Sequence, residues 1–309
     1  MMKSTTMAGA PSSLTDATQR SQAKPSFEII TARHYGMCFG VKAAIKTAQS
    51  LAEKKPVTIL GELAHNPTVQ QSLTERGALH SKLENPTAET EEVIITAHGA
   101  ADKDRARWRE KYRVTDTTCP LVHRAHDALR GLVEQGFQPI VIGKAGHVEV
   151  NGLVGDFPET HIILTEHDAR LLPYAERYGV IAQTTQQIDH VENIVSEIKR
   201  RHPSAEVRFI DTVCRPTKDR QQAMLDLCQE VELVIVVGGK NSNNTQQLAR
   251  KAIALGCLAH HIQTPKDIKK AWFRGISKVG VTAGTSTPDS DVDEILHYLH
   301  GIGGEISCV

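Results

Sequence analysis

Three cysteines recur at one structural position, and that recurrence limits what the chain can fold into more than any other feature. Phe27-Glu28-Ile29-Ile30 leads to Cys38-Phe39-Gly40-Val41, then to a helical pattern through Ala43, Ala44, Ala48, Leu51 and Ala52. Asp116-Thr117-Thr118-Cys119-Pro120 opens a helix in which Leu121, Val122, Ala125, Ala128, Leu129, Leu132 and Val133 fall at helical spacing. Phe209-Ile210-Asp211-Thr212-Val213-Cys214-Arg215-Pro216 runs into a helix near 219–227. A proline at a first helical position loses nothing by its missing N–H. Each cysteine therefore sits where a strand hands over to a helix, among free N–H groups that stabilise a thiolate. The three lie 81 and 95 residues apart, and 95 residues remain after the last. Such spacing is the signature of a repeated module.

The rest of the chain repeats the plan. Apolar strands at 57–60, 93–96, 139–142, 161–164, 179–182, 233–237 and 279–282 alternate with helices at 68–76, 102–112, 189–201, 246–255, 265–273 and 292–299, the one at 102–112 charged and exposed. Alternation of this kind predicts an α/β fold of mostly parallel sheets. We expect three α/β modules related by a pseudo-threefold axis around a central iron–sulfur cavity. Residues 39–118 form the first, 119–211 the second, and 27–38 together with 212–309 the third. Residues 1–26, rich in Ser, Thr, Ala and Gln, are expected to be a disordered tail without the apolar centre of a secretory signal.

Charge points to no anionic partner. Lysine plus arginine equals aspartate plus glutamate, 36 each, so net charge makes no case for nucleic acid or an anionic membrane. No apolar run approaches a membrane span. Widely spaced cysteines without a signal fit a reducing cytoplasm better than a disulfide framework.

In parallel sheets ligands bind at the carboxyl ends of strands, and the polar residues collect there. His65, His147 and Ser242 stand 27, 28 and 28 residues after their module cysteines, and His98, Thr184 and Ser286 stand 60, 65 and 72 residues after them. Three converging thiolates suit a 4Fe–4S cluster, which ordinarily takes four cysteines. With three, one iron is open to act as a Lewis acid. Zinc is less well served, because no C-x₂₋₄-C pair exists. His65, His98, Ser242, Asn244 and Ser286 are donors at strand-to-helix turns, with Gly99, Gly238, Gly239 and Gly284 allowing close backbone approach. This is the chemistry of a phosphate or diphosphate site. Gly238-Gly239-Lys240-Asn241-Ser242 is neither a P-loop nor a GxGxxG fingerprint, and an Asn/Ser helix cap explains it equally. Singly, each histidine fits a structural role as well as a functional one. Glu149, two residues after His147, is a candidate proton donor or a surface glutamate. Thr184 and Thr185 position a water or substrate hydroxyl, or cap the next helix. His34, Tyr35, His123 and His126 read as structural or rim residues, and Cys228 as a buried small side chain.

Taken in order, Cys38-Phe39-Gly40-Val41, Ala97-His98-Gly99, Thr118-Cys119-Pro120-Leu121-Val122, Gly146-His147-Val148-Glu149-Val150-Asn151-Gly152, Gln183-Thr184-Thr185, Lys240 to Thr245 and Thr282 to Asp289 resemble the 4-hydroxy-3-methylbut-2-enyl diphosphate reductase (LytB) family over about residues 29–290. The resemblance implies one 4Fe–4S cluster on Cys38, Cys119 and Cys214, whose open iron takes the substrate's terminal hydroxyl. Two electrons and protons then remove it as water, giving isopentenyl and dimethylallyl diphosphate. It implies that His65, His98, Ser242, Asn244 and Ser286 hold the diphosphate, that His147 guides protons, that Glu149 delivers one to the leaving hydroxyl, and that Thr184 keeps the hydroxyl and water network in place. A ferredoxin or flavodoxin supplies electrons to what is expected to be a monomer.

The chain departs from the pattern at Asn243, where the family often has serine, and at Pro216, where it usually has alanine; Asn243 can still donate to phosphate. Two other readings compete. One is a three-cysteine condensing enzyme of quinolinate synthase type, and the other is a cluster-based redox sensor. A sensor needs neither a buried Glu149 nor an anion pocket.

Overall fold

A computed structural model describes residues 26–64 and 66–306. Strand β1 (Phe27–Thr31) leads through Cys38 into α1 (Phe39–Ala52). A first group follows: β2 (Val57–Leu60), α2 (Pro67–Glu75), β3 (Ala78–Ser81), β4 (Glu92–Ile95), α3 (Asp102–Arg109) and β5 (Arg113–Asp116). Cys119 opens α4 (Pro120–Glu134), followed by β6 (Gln138–Ile142), α5 (Val148–Val154), β7 (His161–Ile163), α6 (Glu166–Arg170), β8 (Arg177–Ala182), α7 (Ile188–Arg201) and β9 (Glu206–Phe209). Cys214 opens α8 (Arg215–Glu230). Then come β10 (Leu233–Val237), α9 (Asn243–Ala254), β11 (Leu258–Ile262), β12 (Lys278–Ala283), α10 (Asp289–Gly301) and β13 (Gly304–Ile306).

Three parallel sheets result, ordered β3-β2-β4-β5, β7-β6-β8-β9 and β11-β10-β12-β1-β13. The order is the same in each, β1 standing where β5 and β9 stand, with β13 added outside it. Every registered strand pair is parallel, which is why the central strands are apolar throughout. Leu233–Val237 is buried at all five positions.

The helix after each cysteine packs on the next sheet rather than the one just left. Ala44, Ile45 and Ala48 of α1 pack with Val57 and Ile59 of β2 and Ile94 of β4. In α4, Ala125, Leu129 and Leu132 pack with Val141 and Ile181, and in α8, Ala223, Met224 and Leu227 pack with Val234, Val236 and Ile30. Each cysteine thus marks a crossing between sheets. Asn66 Nδ2 donates to Asp291 Oδ2 at 2.8 Å and ties the first group to the last.

Several expectations change. Helix α3 is exposed along one face, as its Asp-Lys-Asp-Arg-Ala-Arg-Trp-Arg sequence suggests, but it stops at Arg109 and buries Arg105 and Trp108. The Arg105 guanidinium is accommodated by Asp116 and Asp102 at 2.9 and 3.1 Å. The stretch 265–273 is two separate 3-10 turns, Pro265–Asp267 and Lys270–Phe273. Helices α5 and α6 and strands β3 and β13, all short, were not anticipated. The expected tail lies, but for Ser26, outside the described residues. Among the described residues no helix is long and apolar enough to cross a membrane.

Candidate active site

Cys38, Cys119 and Cys214 are the N-cap residues of α1, α4 and α8, none with a side-chain cap bond. One hydrogen bond fixes each in the same way. The Cys38 N–H donates to Thr285 O at 3.1 Å, that of Cys119 to Ala97 O at 3.1 Å, and that of Cys214 to Thr184 O at 2.9 Å. All three acceptors lie just past the carboxyl end of a strand, β12, β4 or β8. The strand-end turns and the helix starts are therefore locked together by the backbone.

The three side chains line one cavity of about 70 Å³, with Gly40, Glu149 and Thr184. Burial pushes the Cys119 thiol up, and pushes that of Cys214 up to about 11, against hydrogen bonds from Thr217. Alone, such thiols keep their protons; a bound metal deprotonates them outright. Among the described residues no three His, Cys, Asp or Glu side chains gather closely enough for a single ion. A shared cavity capped by three soft sulfur donors at helix N-termini instead fits a cluster of several irons.

Gly40 keeps this cavity open. A Cβ at that position would lie 2.6 Å from Cys119 Sγ and 3.1 Å from its Cβ. Gly40→Ala is therefore expected to push Cys119 aside and lower the iron and sulfide bound per chain, with helical content unchanged. Metal and sulfide analysis alongside far-UV circular dichroism checks this.

A second cavity, of about 40 Å³, is lined by Ser242, Asn243, Asn244, Ser286, His98 and His147. The two cavities share Val41, His98, Glu149, Thr185 and Thr285. On the far wall Ser242 caps α9, its Oγ accepting from Thr245 N, and receives the Ser286 hydroxyl at 3.3 Å. Asn244 Oδ1 accepts from Thr285 N at 3.1 Å, which leaves its NH₂ to donate elsewhere. Among the described residues the buried Asn243 Nδ2 meets no hydrogen-bond acceptor. A buried amide donor in that condition is costly unless something else supplies an acceptor. The wall is thus rich in donors beside a helix N-terminus, the arrangement that holds an anion.

Glu149 stands on the shared wall, in the first turn of α5, 2% exposed. Burial pushes its carboxyl up to about 7, against hydrogen bonds from Thr184, whose amide donates to Oε1 at 2.7 Å. The Glu149 N–H donates to His147 Nδ1 at 3.1 Å, fixing that ring nitrogen as an acceptor. His98 and His147 meet edge to face with centroids 5.8 Å apart.

Of the expected site residues, Cys38, Cys119, Cys214, His98, His147, Glu149, Thr184, Ser242, Asn243, Asn244 and Ser286 line one or both cavities, and His65 lies outside the described residues. Thr285 and Thr217 were missed, the first because it contributes backbone groups that no residue type announces. His126 is buried, its imidazole pushed down to about 4 by burial and the nearby Arg105 charge.

The family model described as LytB protein matches residues 29–300. A relative from Geobacter metallireducens named 4-hydroxy-3-methylbut-2-enyl diphosphate reductase is 38% identical over 279 residues, covering 89% of this chain and 98% of its own. A relative of the same name from Pelobacter propionicus is 38% identical over 285 residues, with 90% and 98% covered. The solved structure of the E-1-hydroxy-2-methyl-but-2-enyl-4-diphosphate reductase from Plasmodium falciparum superimposes with a TM-score of 0.83 at 26% identity, covering 92% of this chain and 93% of that one. A second solved structure, an (E)-4-hydroxy-3-methyl-but-2-enyl diphosphate reductase described as the terminal enzyme of the non-mevalonate pathway, gives 0.65 at 34% identity, with 89% and 99% covered.

Proposed function

The chain belongs to the LytB protein family, and we propose that it reduces 4-hydroxy-3-methylbut-2-enyl diphosphate to isopentenyl and dimethylallyl diphosphate. Two electrons and two protons enter, the allylic C–O bond breaks, and water leaves. The observation that carries this reading is the shared wall: a cavity of three thiols adjoins a cavity of hydroxyl and amide donors, with Glu149 between them. A short molecule with an anionic end and a hydroxyl end fits that pair. Neither a condensing enzyme of quinolinate synthase type nor a redox sensor accounts for the relatives or for the donor-lined cavity.

Cys38, Cys119 and Cys214 would hold one 4Fe–4S cluster with one open iron. When bound, the cluster supplies the electrons and a Lewis-acidic iron. The chain's own groups do the rest. Ser242, Asn243, Asn244 and Ser286, with His65 and His98, bind the diphosphate; the acceptor-less Asn243 amide supports a role that serine serves elsewhere in the family. Glu149, kept protonated near neutrality by burial, gives its proton to the departing hydroxyl. The Thr184 amide holds the carboxyl in one orientation, Thr184 orders the hydroxyl network, and His147 guides protons beside it. We take the protein to be a cytoplasmic monomer served by a ferredoxin or flavodoxin.

The test is anaerobic turnover of 4-hydroxy-3-methylbut-2-enyl diphosphate with a reduced viologen dye. Substrate-dependent dye oxidation with both products supports the reading; no oxidation by protein that carries an intact iron–sulfur absorbance band overturns it. The anion wall has its own check. Ser286→Ala removes one donor to a charged group, worth about 1.5–3 kcal/mol. The KM is expected to rise roughly tenfold or more while kcat changes less, as for binding shared by ground and transition states. Inhibition by inorganic diphosphate should weaken by the same factor.

A further inference from the structure

Buried guanidinium groups are rare unless paired, and the described residues hold two. Arg105 is matched by Asp116 and Asp102. Arg220, 7% exposed, is held instead by backbone carbonyls. Its Nε and Nη2 donate to Gly36 O at 3.1 and 2.6 Å, and its Nη1 donates to Pro216 O at 2.7 Å. Gly36 adopts φ +72°, and its own N–H donates to Ala283 O at 3.1 Å. Arg220 thereby fastens the loop before Cys38 to the first turn of α8, just after Cys214.

These bonds orient the guanidinium but do not neutralise it. Among the described residues no carboxylate lies within ion-pair distance of Arg220, and the adjacent Asp219 is taken by Arg215 at 2.6 Å. Its anchors place it between two of the cysteines: Gly36 and Pro216 each stand two residues from Cys38 and Cys214, and Arg220 lines one cavity with Cys38. A buried cation uncompensated by carboxylate is destabilising unless another anion completes the site.

We infer that Arg220 is the fixed counter-charge of the iron–sulfur cluster, placed to favour its reduced, more negative state. The inference rests on the reading that the cluster sits on the three cysteines. In the step concerned one electron passes from a reduced viologen or a low-potential carrier protein to the cluster. The donor is oxidised by one electron, the cluster gains one, and no bond or proton moves. A positive charge close by in a low-dielectric site favours that gain. Arg220 is a positioning residue, acting through the cluster without touching substrate.

The test compares cluster-loaded wild type, Arg220→Gln and Arg220→Lys by anaerobic potentiometric titration followed by electron paramagnetic resonance. Arg220→Gln is expected to lower the equilibrium for one-electron reduction roughly tenfold or more, a shift of about 59 mV per tenfold. Arg220→Lys, which keeps the charge but loses the forked hydrogen bonds, should stay near the wild-type potential. Equal shifts in both variants mean that Arg220 merely holds the loop, and overturn the inference, as does an unchanged potential in Arg220→Gln. If Arg220→Gln holds no cluster, Arg220→Lys decides: a loaded cluster at the wild-type potential supports the inference, and one at a lowered potential overturns it. Wild-type protein that takes up no cluster overturns the functional reading together with this one. A loaded, active wild type beside an indifferent Arg220→Gln overturns this one alone.

Discussion

Replacing Cys119 by serine is expected to bring turnover down to the dye background and to leave the protein without its stoichiometric iron. The sulfur of Cys119 faces Gly40 across the cavity shared with Cys38 and Cys214. A serine oxygen is a harder, less readily ionised donor than a thiolate and serves a soft iron–sulfur centre poorly. Two thiols then remain for a cluster whose iron already lacks its fourth cysteine. The fold should survive the change. Cys119 is a helix N-cap without a side-chain cap bond, and serine is among the best residues for that position. Far-UV circular dichroism should match the wild type, and the thermal midpoint of the metal-free form should be equal or slightly higher. Lost activity therefore reports the cluster, not unfolding. A Cys119→Ser protein with a full complement of iron and undiminished turnover would remove Cys119 from the ligand set.

Glu149→Gln is expected to lower kcat by about 10²–10⁴, the ordinary worth of a positioned proton donor, with iron content and cluster absorbance unchanged. Glutamine occupies the same space, and its oxygen still accepts the Thr184 amide bond, so the wall between the cavities keeps its shape. What disappears is the proton. Burial holds the carboxyl protonated up to about pH 7, and the anionic substrate and cluster move its titration further upward. Wild-type kcat should thus be level at low pH and fall once pH rises past an inflection at or above about 7, the direction of an acid that must be protonated to work. The variant's residual activity should lose that inflection. A variant with normal turnover, or one that keeps the same inflection, would give the proton to another group.

The sequence carried the cysteine plan in plain view because one arrangement, strand, cysteine and helix start, is written three times. Cys119-Pro120 and Cys214-Arg215-Pro216 announce their helices. The strands β10 and β12 read as strands from apolar runs too short for a helix. Other features depend on partners far along the chain. The pattern of α3 does not tell a buried Arg105 from an exposed one, since Asp116 at the end of β5 completes its pairing. Helix α5 spans too few residues for a period to show. Strands β3 and β13 are sheet-edge pieces with mostly exposed or half-exposed side chains, so no apolar run marks them. The place of Arg220 is not legible locally, because the Gly36 carbonyl that takes two of its donors is 184 residues away. Asn243, a departure from the family pattern in sequence, gains a physical meaning from its buried, unmatched amide.

The placement of β1 beside β12 and β13 has a consequence for how the protein is made. A ribosome releases Phe27–Thr31 long before its sheet neighbours β12 and β13. Roughly 250 residues must emerge in between, about 12–50 s of elongation at typical speeds. Throughout that interval the first strand has no partner, and Cys38 has not met the Thr285 carbonyl that fixes it. Cys119 and Cys214, fixed by Ala97 and Thr184, can be in place before that, but Cys38 cannot. A site that needs all three cysteines can therefore close only once β12 has joined β1.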